Sequence, residues 1–212
     1  TIAEKHNINV MAGQEMSQSY WENFAVSNSG YLSNSVTDLI AGATTGANIN
    51  LSQGNQDGYK LYSYFGRALY NYADRYLLTA TLRCDGSNKF AEGHRWGWFP
   101  SAAFAWRASQ ESFLKDNKVI NNLKLRLGWG ATGNQNVQQW AYAAMLKNYT
   151  TSWGVGVMNA NNANPELKWE TTYSTNVGFD LSLFNSRIDI VFDWYYKKTN
   201  DLLMMLDLPA FI

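Results

Sequence analysis

Apolar and polar residues alternate along most of this chain with a period of two, the signature of strands with one wet face and one dry face. Seven segments carry it. Residues 6–15 place Ile8, Val10 and Ala12 opposite Asn7, Asn9 and Glu15. Residues 59–72 set Tyr62, Tyr64, Ala68, Tyr70 and Tyr72 against Ser63, Arg67 and Asn71. In 75–85, Tyr76, Leu78, Ala80, Leu82 and Cys84 oppose Arg75, Thr79, Thr81, Arg83 and Asp85. In 96–109, Trp96, Trp98, Ala102, Phe104 and Trp106 oppose Ser101, Arg107 and Ser109; in 123–132, Leu123, Leu125, Leu127, Trp129 and Ala131 oppose Lys124, Arg126 and Thr132. The cleanest is 169–184, with Trp169, Tyr173, Val177, Phe179, Leu181 and Leu183 against Glu170, Thr172, Ser174, Asn176, Asp180 and Ser182. The last, 187–201, sets Ile188, Ile190, Phe192, Trp194 and Tyr196 against Arg187, Asp189, Asp193, Lys197 and Asp201.

These segments are about ten residues or longer, whereas strands of soluble proteins usually run about 5–6. A tilted strand of about 9–11 residues crosses a bilayer core. Several segments carry aromatic residues toward their ends (Trp169 and Tyr173, Trp194 and Tyr196, Trp96 and Trp98) and aliphatic ones toward the middle, as interfacial girdles around an apolar belt require. The connections sort as well. Residues 73–74 and 185–186 read as tight turns and 110–122 as a short excursion with one or two helical turns, while 16–58, 86–95 and 133–168 are long. Short and long connections therefore fall at opposite ends of the strands, an asymmetry of outer-membrane barrels that a β-sandwich has no reason to show.

The last hairpin offers an internal check. A two-residue turn at Asn185-Ser186 pairs residues whose numbers sum to 371, so Leu183 faces Ile188, Leu181 faces Ile190, Phe179 faces Phe192 and Val177 faces Trp194. Apolar meets apolar throughout, and a slip of one residue would have opposed the two faces.

Composition changes the picture chiefly by exclusion. Charged residues make up 16% of the chain, below the roughly 25% of soluble domains, and aromatics reach 15%. Seventeen basic residues balance seventeen acidic ones, so no charge excess points to nucleic acid. No apolar run approaches the roughly 18–20 residues of a membrane helix, and the mean hydropathy is −0.35. A transmembrane barrel survives both observations, because alternating strands average to mild hydropathy. The single cysteine, Cys84, excludes an internal disulfide and falls on the apolar face as a small lipid-facing residue. The chain opens on Thr1 and reads as one partial domain, 1–212, of something longer.

Candidate chemistry is sparse. Gly128-Trp129-Gly130-Ala131-Thr132-Gly133 matches GxGxxG, but no helix pattern opens after it and no acid occurs between Asp116 and Glu166, so the glycines read as strand curvature entering a loop. His6 and His94 lack acidic clusters, which leaves no metal site to expect, and no nucleophile–base arrangement suggests an enzyme. No cofactor is expected. The long loop 133–168 is the better place for recognition. Trp140, Tyr142, Tyr149 and Trp153 lie there among amides and hydroxyls, and rings that stack on apolar faces beside amides that bond polar edges suit a sugar or peptide. Packing of these rings within the loop, or in the outer girdle, is the competing reading.

The run Asp74-Arg75-Tyr76-Leu77-Leu78-Thr79-Ala80-Thr81-Leu82-Arg83, followed by Asp85-Gly86-Ser87-Asn88-Lys89-Phe90, resembles the SusC/RagA-type TonB-dependent outer-membrane transporters of the Bacteroidetes. So do Arg95-Trp96-Gly97-Trp98-Phe99-Pro100-Ser101, Asn164-Pro165-Glu166-Leu167-Lys168-Trp169-Glu170-Thr171, and Tyr195-Tyr196-Lys197-Lys198-Thr199 with Asp201-Leu202-Leu203. The likeness runs in order from about residue 58 to the end. It implies a barrel of about 22 strands closed by an N-terminal plug, of which this chain holds about seven strands. It further implies import of a large nutrient, glycan oligosaccharides first and peptides second, with a SusD-like surface lipoprotein and TonB as partners. TonB contacts and plug residues would belong to sequence outside this chain.

The fold expected is therefore all-β, an antiparallel wall of a transmembrane barrel in lipid of a bacterial outer membrane, with the polar face toward the lumen and loops 16–58 and 133–168 outside. A soluble β-rich glycan-binding protein is the alternative, disfavoured by strand length and loop asymmetry.

Overall fold

The computed structural model describes residues 5–22, 25–27, 50–52, 56–115 and 117–206. Two compact units make up the chain: residues 1–17 with 60–212, and residues 18–59. The elements in order are β1 (His6–Glu22), β2 (Ala25–Ser27), β3 (Asn50–Ser52), β4 (Gln56–Tyr72), β5 (Tyr76–Ser87), β6 (Trp96–Arg107), β7 (Ile120–Asn134), β8 (Leu146–Thr151), β9 (Gly154–Asn159), β10 (Glu170–Leu183) and β11 (Ile188–Asn200). Seven of them form one sheet in the order β1-β4-β5-β6-β7-β10-β11. Each of these strands lies beside its predecessor in that series, an up-and-down arrangement with β1 and β11 at the edges.

All seven expected strands are present, with shifted ends. β1 continues through Glu22 rather than stopping at 15, and β7 runs from Ile120 to Asn134. Most of the expected loop 16–58 lies outside the described residues; within it β2 pairs with β3. Loop 133–168 holds a second hairpin, β8–β9, that alternation did not single out.

The register at β10–β11 is the expected one, with Leu183 opposite Ile188, Phe179 opposite Phe192 and Val177 opposite Trp194. The turn itself is built differently: Phe184, Asn185 and Ser186 are all left-handed, with φ of 53°, 57° and 58°, and the Arg187 N–H closes on the Leu183 carbonyl. At the β4–β5 turn Ala73 and Asp74 are left-handed too, and Asn71 and Asp74 bond to each other through side chain and backbone.

Register carries each face unbroken across the sheet. Tyr70, Leu78, Phe104, Leu127, Val177 and Trp194 form one cross-strand row from β4 to β11. One residue over, Leu69, Thr79, Ala103, Gly128, Asn176 and Tyr195 form the row on the opposite face. Across β5 and β7 the apolar row is the more exposed, Leu78 at 45% and Leu127 at 49% against half-buried Thr79 and Gly128, whereas on the edge strand β11 both faces are open. In β5 the exposed positions are Tyr76, Leu78, Ala80 and Leu82, while Leu77, Thr79, Thr81 and Arg83 are partly covered. A water-soluble sheet buries its apolar face; this one leaves the apolar positions of its inner strands open, as the lipid-facing side of a barrel wall does. Cys84 is on the apolar face as expected, yet only 9% exposed, because its cross-strand neighbours are the large rings of Tyr64 and Trp98.

At the short-turn end, the connection 108–119 opens with a 3-10 turn at Ala108–Gln110, and Glu111 closes it. Tyr76 Oη and Trp106 Nε1 both donate to Glu111 Oε1, at 2.7 and 3.3 Å, and Arg75 lies 3.4 Å from its other oxygen. The Tyr76 bond first, then Trp106 and the Arg75 charge, hold the Glu111 carboxyl below its ordinary value. A group lowered on folding contributes stability above its unfolded pKa and loses it as pH falls through the native one. Glu111→Gln is therefore expected to speed amide exchange of residues 108–115 a few-fold near neutral pH and to change nothing in strong acid. Mass spectrometry of exchange across a pH series checks this, and a difference that persists in acid contradicts it.

Candidate functional site

The polar face has a recess of about 380 Å³. Thr79, Ala103, Gly128, Asn176, Gly178 and Asp193 are among the residues that line it. Arg126 crosses it from β7. Its Nη2 bonds Asp180 of β10 at 2.8 Å and Asp193 of β11 at 3.0 Å. Gly178 makes this crossing possible, since it lies between Arg126 and Asp193 in the register and a Cβ there would meet the Phe192 carbonyl at 2.8 Å and Arg126 Nη2 at 3.1 Å. One guanidinium thus ties three strands across a wet wall. The alternation had placed all three charges on the polar face, but their convergence needed the register of two ladders. Arg83 makes a similar knot, donating from Nε to Asp85 at 2.8 Å and from Nη2 to Ser63 at 2.9 Å.

The long-loop end is held by a small core of its own. Phe90, Phe99, Ala131 and Trp169 are buried together, with Leu61, Val137, Leu167 and Leu203 against them. It sits where β6 and β7 part: their ladder ends at Ser101 opposite Gly130, although β7 runs on to Asn134 and β6 starts at Trp96. Pro100, with no N–H for a ladder, stands at that point. Phe99 presses on Gly97 and Gly133, whose missing side chains leave room for its ring. Trp169 packs edge-on against Phe99 with centroids 5.4 Å apart, and its Nε1 donates to the Arg95 carbonyl at 2.8 Å. This corrects one expectation. Trp169 precedes β10 and is 7% exposed in this core, so it is no girdle residue on the apolar face.

Of the four aromatic residues expected to meet ligand, Trp140 and Tyr142 come together, their rings 6.0 Å apart and tilted by 43°. Tyr149 lies on β8 and Trp153 at the tip of the β8–β9 hairpin, 97% exposed. They are not in ring contact with the first pair, so the four make no single cluster. The hairpin's base is held by Asn161, which accepts from the Met145 N–H at 2.7 Å and donates to the Ala143 carbonyl at 2.9 Å. Asn164 adds a bond from its N–H to Ala141 O at 3.2 Å. Nothing in the run Ala160-Asn161-Asn162-Ala163-Asn164 distinguishes these two asparagines from their neighbours by sequence. Among the described residues no group of His, Cys, Asp or Glu is arranged to hold a metal.

The wall, its inverted faces and the loop end match a known family over nearly their whole extent: the model described as TonB dependent receptor-like, beta-barrel, covers residues 6–211. The chain belongs to the TonB-dependent receptor-like β-barrel family. As a member it is part of an outer-membrane barrel, and the open seven-stranded sheet is a stretch of that barrel's wall. It is 43% identical over 158 residues to the TonB-dependent receptor SusC of Bacteroides thetaiotaomicron, covering 71% of this chain and 16% of that protein. It is 33% identical over 215 residues to the TonB-dependent receptor P26 of Formosa agariphila, covering 98% of this chain and 21% of that one. Among solved structures, one titled as the RagAB peptide transporter superposes with a TM-score of 0.88 at 25% identity, over 99% of this chain and 23% of that one. The chain thus spans about a fifth of the length of the curated relatives it matches. The SusC/RagA resemblance and the all-β barrel wall expected from the sequence are both borne out.

Proposed function

We infer that this chain is wall and outer loops of a TonB-dependent importer that carries a large nutrient, glycan oligosaccharides in the first instance, across the bacterial outer membrane. The observation that carries this is the inversion of the sheet: hydrocarbon-facing rows outside, a charged and glycine-lined recess inside. SusC, at 43% identity, makes the SusC/RagA type the natural assignment. The protein's remaining sequence would supply the plug and the contact to TonB, and a SusD-like surface lipoprotein would act with it at the loop end. Cargo is read as sugar because the loop offers exposed rings with almost no charge: Lys147 is the sole charged residue from 133 to 165. Peptide cargo is the second reading, favoured by the superposition on a structure titled as a peptide transporter.

Trp140, Tyr142, Tyr149 and Trp153 are proposed to contact cargo, as residues of outer loops carried on a rigid scaffold. Replacing Trp140 and Tyr142 together by Ala in the full-length protein is expected to weaken oligosaccharide binding about tenfold or more while the yield of folded barrel in the outer membrane stays near wild type. Replacing Tyr149 and Trp153 is the parallel test for the hairpin. Uptake of both neutral sugars and peptides unaffected by either pair would remove these rings from the recognition site.

A further inference from the structure

Three irregularities fall within six residues of the loop. Gln139 is 6% exposed, and neither its Oε1 nor its Nε2 has a hydrogen-bond partner. Gln135 Oε1 is buried without a partner as well. Trp140, a bulky residue, adopts left-handed backbone with φ of 64° while the residue is 49% exposed. Each feature costs stability: a buried amide gives up water and gains nothing, and left-handed backbone is sparsely populated for such a residue. Native structures keep such defects chiefly at ligand-binding and switch regions, or where buried water satisfies the polar group.

Two of the defects, at Gln139 and Trp140, are bracketed by anchors. On one side Val137 packs on the Phe90–Trp169 core, and its carbonyl accepts from Lys89 Nζ at 3.0 Å. On the other, Asn164 and Asn161 hold the carbonyls of Ala141 and Ala143. The strained part is residues 138–140, a short span between two fixed points.

We propose that residues 138–140 form a ligand-operated switch in which Gln139 is a specificity-determining residue for neutral sugar. In the arrangement described above, the amide is buried and idle. On binding, Trp140 leaves its left-handed conformation, and the Gln139 amide turns out beside the Trp140–Tyr142 pair. There its adjacent donor and acceptor meet neighbouring hydroxyls of a sugar whose apolar face stacks on the rings. An uncharged amide in a loop stretch with one lysine suits such a ligand better than a charged one. This rests on the import reading for its ligand, though not for the strain.

The test uses the full-length protein in detergent, with hydrogen exchange followed at residues 138–143. Gln139→Leu, close in volume and without polar atoms, is expected to slow exchange there about tenfold or more without ligand. Maltoheptaose and laminariheptaose are the probes, with N-acetyl-tri-alanine amide, a peptide without charge, as comparison. A heptasaccharide is expected to slow exchange in wild type and to bind the Leu variant at least tenfold more weakly. Unchanged exchange in Gln139→Leu would mean that the amide is satisfied by buried water and would overturn the switch. Slowed exchange with undiminished sugar binding would overturn the specificity role. If neither sugar alters wild-type exchange, the sugar assignment is overturned; binding of the tri-alanine amide in that case would leave the import reading standing while this inference fails.

Discussion

Leu127→Lys should remove most folded full-length protein from the outer membrane, while Asn176→Lys should leave its yield near wild type. Leu127 is at the middle of β7, flanked in its cross-strand row by Phe104 and Val177, and 49% of it is exposed on the apolar face. A lysine facing lipid near the midplane costs roughly 2–4 kcal/mol, a shift of about 30- to 1000-fold in the folding equilibrium. Asn176 pairs with Gly128, the residue after Leu127, so it lies at nearly the same depth on the other face. It lines the recess that Asp193 also lines, on the polar face, where a cation is not set in hydrocarbon. Heat-modifiable migration of the membrane fraction on gels reads out both. Equal yields for the two variants would mean that the faces have been assigned the wrong way round.

That contrast was legible in the sequence because a period of two survives any error at strand ends. Leu125, Leu127 and Trp129 announce one face whether β7 starts at 120 or 123, and the hairpin sum of 371 needed only the position of a turn. What escaped was decided by contacts between distant segments. Phe99 and Trp169 look like members of alternating strands, and only the parting of β6 and β7 beyond Ser101 shows them as a plug of core under the loops. Trp169 in particular fitted the odd-numbered apolar series of β10, yet the series ends before it. The β8–β9 hairpin was hidden for the opposite reason. Both its strands are exposed on both faces, so no alternation is enforced, and a short hairpin of that kind is pinned by Asn161 at its base. The four aromatic residues chosen from composition alone divided accordingly, two at the strained turn and two on the hairpin.

The loop-end core yields the sharpest steric expectation. Gly133→Ala should destabilise the loop end by about 1–3 kcal/mol, the usual cost of forcing an extra carbon into a packed site. A Cβ at Gly133 would run into the Phe99 ring, and that ring cannot swing away cheaply. It already lies 2.5 Å from the Cβ position of Gly97 and is packed edge-on by Trp169. Gly128→Ala provides the control, since its Cβ would find nothing nearer than Asn176 at 3.8 Å. The same substitution in the same strand should therefore be costly at 133 and nearly neutral at 128. If the clash is with Phe99, Phe99→Leu should recover part of the loss, giving a coupling of about 0.5–3 kcal/mol in a double-mutant cycle. Exchange protection of residues 88–95 and 163–169 in the full-length protein measures it, because Trp169 holds the Arg95 carbonyl and so links the two segments. Additive effects of Gly133→Ala and Phe99→Leu, or equal tolerance at 128 and 133, would show that Gly133 is kept for some reason other than the ring that covers it.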